Sequence, residues 1–123
     1  MHYLKLPLVA LLALFSHSVT ANGLVCAGEV ETLSYHADSQ LMIKLSSMNT
    51  PVFFCSPDNQ WVVNGTAYKT SPQACQAMYS TFLAAKMAGK PVANMYFDGD
   101  QVPASCNGWS SWAKANIRHY LVN

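Results

Sequence analysis

Four cysteines constrain this chain more than any other feature, because all of them follow a segment that reads as an export signal. Lys5 opens that segment, Leu6 to Phe15 is apolar throughout, and Val19-Thr20-Ala21 closes it where a signal peptidase needs small side chains. Charge, then apolar run, then small residues is the order of a cleavable leader rather than of a buried N-terminal helix. Bulky Val25 before Cys26 fits lipid attachment poorly, so residues 1–21 are expected to be removed and a free chain to start near Asn22. The expected destination is the periplasm or the exterior. No other apolar run approaches the roughly 20 residues that a membrane-crossing helix requires.

An exported domain of about 100 residues buries a small core, and its cysteines are expected to be oxidised. Cys26, Cys55, Cys75 and Cys106 allow three pairings. We expect Cys55–Cys75, joining the strand before a helix to the helix start, and Cys26–Cys106, joining the N-terminus to a late loop. No CxxC or HxxxH spacing offers zinc a ligand set, and a bridged sulfur cannot act as a nucleophile. No metal and no cofactor are expected. Seven Lys+Arg stand against six Asp+Glu, and loss of Lys5 with the leader balances them. That balance argues against nucleic acid as a partner.

Residues 22–123 read as one domain, mainly β with one helix. Gly28 to Tyr35 is a first strand, and Ala37-Asp38-Ser39 a turn. Leu41, Ile43 and Leu45 then alternate with Met42, Lys44 and Ser46, the period-2 pattern of a strand with one buried face. Val52 to Cys55 makes a third strand after Asn49-Thr50-Pro51. Asn64-Gly65 favours a tight hairpin between Trp61-Val62-Val63 and Thr66-Ala67-Tyr68. Ser71-Pro72 opens a helix, with a capping hydroxyl and a proline whose missing N–H costs nothing there. Cys75, Met78, Tyr79 and Phe82, extended by Leu83 and Ala85, follow helical spacing, and Gly89 ends the run. Val92 to Phe97 and Ile117 to Val122 supply the last two strands. Three strands, a helix and two strands is the order of a five-stranded antiparallel OB-like barrel, although a curled sheet covered by one helix has the same order.

Catalytic groups are sparse. His36 and His119 are the histidines beyond the leader, and no GxSxG context surrounds any serine. Glu29 and Glu31 share a strand face about 7 Å apart, which an exposed surface explains as well as an acid–base pair. Asp98-Gly99-Asp100 lacks the remaining ligands of a calcium loop. A binding module, not an enzyme, is the expected outcome. Its candidate contacts are Trp61, Asn64, Tyr68, Asp98, Asp100 and Trp109, aromatic rings with amide and carboxylate neighbours that suit a sugar. Trp61 and Trp109 can equally be core residues, and Trp112 is expected to plug the end of the barrel.

The block from Ser71-Pro72-Gln73-Ala74-Cys75 through Gly89-Lys90-Pro91-Val92 to Phe97 resembles small exported bacterial proteins of uncharacterised function. More remotely, this helix–Gly–strand block is similar to the B subunits of the subtilase and typhoid toxins. That resemblance implies an OB-type fold, assembly into a pentameric ring and binding of a sialylated glycan receptor. It assigns no sugar-binding residue to a position in this chain. An exported inhibitor or immunity-like protein that binds a protein ligand is the competing expectation.

Overall fold

A computed structural model describes residues 23–123; the expected leader, residues 1–21, lies outside them. In chain order the elements are β1 (Gly23–Gly28), β2 (Val30–His36), β3 (Gln40–Leu45), β4 (Val52–Cys55), β5 (Trp61–Val62), β6 (Lys69–Thr70), α1 (Pro72–Ala88), β7 (Val92–Asp98) and β8 (Asn116–Val122). The strands form three small antiparallel sheets, ordered β1-β7-β8, β2-β3-β4 and β5-β6. The fold is therefore mainly β with one helix, as the element order implies. It is not a closed five-stranded barrel.

Two local causes account for that difference. The expected first strand, Gly28 to Tyr35, is preceded by an unexpected one: Gly28 ends β1 and β2 starts only at Val30, and the φ of 139° at Gly28 suits glycine alone. A β-carbon there would lie 2.2 Å from Ser46 Oγ. Ser46 fastens the break: its Oγ accepts from the Glu29 N–H at 3.1 Å, and its own N–H donates to Glu29 O at 2.9 Å. The chain leaves one sheet at Gly28 and enters the next at Val30. On the far side, β4 meets the approach to β8 through a single parallel bridge, Phe53 with Lys114. Phe53 N–H donates to Ala113 O at 2.9 Å, and Ala115 N–H donates to Phe53 O at 3.0 Å. One bridge pins the two sheets together without completing a ladder.

The hairpin also differs from expectation. β5 and β6 pair Trp61 with Thr70 and Val62 with Lys69, leaving residues 63–68 as a wide loop. Asn64 O accepts from Asp100 N–H at 2.8 Å, so the loop leans on the turn after β7 instead of closing on itself. Gly65 permits that approach, since a β-carbon there would come within 2.5 Å of Asp100 N.

Elsewhere local chemistry and structure agree. Ser71 Oγ accepts from Ala74 N–H at 3.1 Å, Pro72 starts the helix, and Gly89 caps it in the left-handed conformation. Cys75, Met78, Phe82 and Ala85 face inward, while Leu83 is exposed. Leu41, Ile43 and Leu45 are buried along β3. Phe82 sets its ring edgewise to Phe54 at 5.8 Å and to Tyr120 at 4.8 Å, which locks the helix onto the sheets. Removing a side chain of this size from water contributes about 1.5–3 kcal/mol. Both expected disulfides are present, Cys26–Cys106 with Cα atoms 5.8 Å apart and Cys55–Cys75 at 5.6 Å. Among the described residues no helix is long and apolar enough to cross a membrane.

Candidate functional site

The loop between β7 and β8, residues 99–115, is held by the Asp100–Asn64 backbone bond and at four further points. Cys106 is bonded to Cys26. Asn49 Nδ2 donates to Trp109 O at 2.8 Å while Trp109 N–H donates to Asn49 Oδ1 at 2.9 Å. The Phe53 bridge holds Ala113 and Ala115. Trp61 Nε1–H donates to Ala115 O at 2.9 Å. These anchors decide the fate of the three tryptophans.

Trp61 and Trp109 are core residues, not contact platforms. Trp61 is buried with its indole N–H satisfied. Trp109 is buried edge-on to Phe97 at 5.0 Å. Trp112, expected inside, is the exposed one at 60%. Its ring stacks over Phe53 at 5.9 Å and 27°, and lies edgewise to His36 at 5.1 Å. His36 also stands edgewise to Phe53 at 5.5 Å, and its Nδ1–H donates to Ala37 O at 3.1 Å. Trp112 has a φ of 64°. A side-chain-bearing residue held there costs about 1–2 kcal/mol, and an exposed indole recovers little of that by burial. Beside the ring lies a shallow recess of about 260 Å³, bordered by Met42, Thr50, Pro51 and Ser111. The surface thus joins an indole face to two hydroxyls.

The other expected contacts fall into two groups, Asn64 with Asp100 and Asp98 with Tyr68. Asn64 and Asp100 are exposed and touch through their backbones. Asp98, expected to be accessible, is buried: Oδ1 accepts from Asn116 Nδ2 at 3.1 Å and Oδ2 from Arg118 Nε at 2.8 Å. Asn116 Oδ1 in turn accepts from Thr70 Oγ1 at 2.7 Å. A carboxylate satisfied in this way is closed to ligand, and what it presents to solvent is Arg118. The guanidinium carbon lies over Tyr68 at 4.2 Å and over Tyr96 at 4.8 Å. Desolvation lowers the Arg118 pKa, but the Asp98 hydrogen bond, its charge and the two tyrosines outweigh it, leaving the pKa above its ordinary value. Tyr68 is half exposed on this cluster. Glu31, by contrast, forms an ion pair with Lys44 on the strand surface.

Sequence reasoning missed Trp112, His36 and Arg118. Gly108-Trp109-Ser110-Ser111-Trp112 has no periodicity that distinguishes its two rings. Asn49, sixty positions away from Trp109, makes the distinction. Comparison with protein-family models, with curated proteins and with solved structures gives no match to this chain.

Proposed function

We propose that the chain is an exported, non-enzymatic binding module that receives a carbohydrate on Trp112. The observation that carries this reading is the combination at Trp112 of a left-handed backbone with an outward-facing indole. Strain held at an exposed aromatic residue is a signature of a functional surface. An indole face suits the C–H face of a sugar ring, and the hydroxyls of Thr50 and Ser111 border the same recess.

The pairing order supports the reading further. β7 lies between β1 and β8, β3 lies between β2 and β4, and the Phe53 bridge joins β4 to the approach to β8. We read this order as that of an OB-type Greek key with one seam reduced to a bridge. In such folds the face of the second and third strands and the adjoining loops hold oligosaccharides. Trp112 and Met42 belong to that region. All four thiols are bridged, which removes cysteine nucleophiles from consideration.

A glycan array of sialylated and neutral saccharides tests the proposal. Retention of the mature protein by a defined saccharide, and its loss in Trp112→Ala, is the expected result. Silence across the array would remove the carbohydrate assignment.

A further inference from the structure

β8 is an edge strand. It pairs with β7 on one side, and among the described residues no backbone group of residues 117–122 bonds to backbone outside that pair. Two clefts, of about 320 and 510 Å³, follow one another between this strand and α1. The first lies beside Ala74 and Ala77 of the helix and residues 117–120, the second beside Ala84, Ala88 and Val122. By helical and strand rise the two walls run together for about 20 Å. Neither cleft shares a lining residue with the Trp112 recess.

His119 and Tyr120 show what this groove opens onto. The His119 ring stacks on Tyr96 of β7 at 5.3 Å, whereas Tyr120 packs against Phe82 of α1 at 4.8 Å. The two side chains leave opposite faces of the sheet, as successive strand residues do, yet both border the first cleft. The cleft therefore meets the backbone edge between them. We propose that this edge takes an extended, acidic segment of a partner protein as an added strand.

An unpaired strand edge is a template for backbone hydrogen bonds from another chain. Arg118 is bulged from the β7 ladder, whose partners step from Ile117 to His119, so the regular part of the edge is residues 119–122. Alanines on the α1 wall leave width for a strand, which lies about 4.8 Å from its neighbour.

Charge names the occupant. Lys69 borders the first cleft and Lys90 the second, and neither is in an ion pair among the described residues. Arg118 is already balanced by Asp98, and no Asp or Glu borders either cleft. Two free cations set along the groove select a segment with acidic side chains at both ends. A second copy of this chain supplies none: β1 and β8, the outer strands of this sheet, contain no acidic residue.

A capped heptapeptide of alternating valine and threonine with aspartate at both ends, titrated into ¹⁵N-labelled mature protein, tests the assignment. Saturable shifts and slowed amide exchange are expected within residues 119–122. The same peptide with lysine at both ends, or with every backbone nitrogen methylated, should not bind. Lys69→Glu combined with Lys90→Glu reverses two exposed charges outside the strand and should weaken the aspartate peptide about tenfold. Trp112→Ala should leave that binding unchanged, so failure of the sugar platform and failure of this edge are told apart. No saturable change at these amides, equal binding of the lysine-ended peptide, or binding undiminished by methylation would each overturn the proposal. Light scattering that shows the protein alone self-associating, with protection of the same amides, would give the edge to a second copy and overturn it too.

Discussion

Asn49 closes two hydrogen bonds onto the backbone of Trp109, one through each end of its side-chain amide, at 2.8 and 2.9 Å. This pair acts as one rung of a strand ladder where no strand exists. It sets the loop that carries Trp112, and so links a turn residue to the proposed binding surface.

Asn49→Ala removes both bonds and should destabilise the domain by about 1–3 kcal/mol. For a domain of about 100 residues that corresponds to a melting temperature lower by several degrees, roughly 4–8 °C per kcal/mol. Thermal unfolding of the mature protein measures it. An unchanged melting point would show that the loop is held without this clamp.

The buried tryptophans differ in one hydrogen bond, and that difference is measurable. Trp61 Nε1–H satisfies Ala115 O, whereas Trp109 Nε1 is buried without a partner among the described residues. Trp61→Phe therefore strands an acceptor, and Trp109→Phe removes an orphaned donor. Chemical denaturation should find Trp61→Phe the more destabilising by about 1 kcal/mol. The reverse order would contradict the assigned roles.

The two bridges should contribute unequally. Replacing Cys55 and Cys75 together by alanine opens a loop with a sequence separation of 20, against 80 for Cys26 and Cys106. Chain-entropy reasoning gives about 3 kcal/mol for the short loop and about 4.5 kcal/mol for the long one. Denaturation of each double variant gives both values, and peptide mapping without reductant reports the pairing itself. Any cross-pairing, such as Cys26 with Cys55, would refute the topology.

Trp112→Gly offers a fourth stability test. Glycine relieves a left-handed backbone, a gain of about 1 kcal/mol, while the lost stacking on Phe53 and His36 costs about 0.5–1.5 kcal/mol. The terms nearly cancel, so calorimetry should show a melting point within a few degrees of wild type. A loss like that of a core residue, several kcal/mol, would place Trp112 in the fold's support rather than at its surface.

The sequence was informative where one residue acts on its neighbours. Ser71, Pro72 and Gly89 bound the helix by local hydrogen bonding and dihedral preference, and Leu41, Ile43 and Leu45 reveal a buried strand face by alternation. Of the three disulfide pairings the sequence allows, the one expected from the order of elements is the one present. Barrel closure did not follow from that order, because it depends on Gly28 meeting Ser46 and on a lone bridge at Phe53. The site was the least legible part. Asp98 and Tyr68 were visible as polar and aromatic residues, but Arg118, which joins them, lies in a strand and carries no local signal. Exposure of Trp112 and burial of Trp61 and Trp109 are decided by Asn49, Phe53 and Ala115, all remote in sequence from at least one partner.

Trp112 is the one tryptophan of the three that is exposed, and its emission reports directly on the proposed platform. Titrating the mature protein with a saccharide retained on the array, in the presence of acrylamide, should shield that indole from quenching. A saturable blue shift should accompany the protection, and both signals should vanish in Trp112→Ala. Saccharide binding with undiminished quenching of Trp112, or with full affinity in Trp112→Ala, would contradict the account.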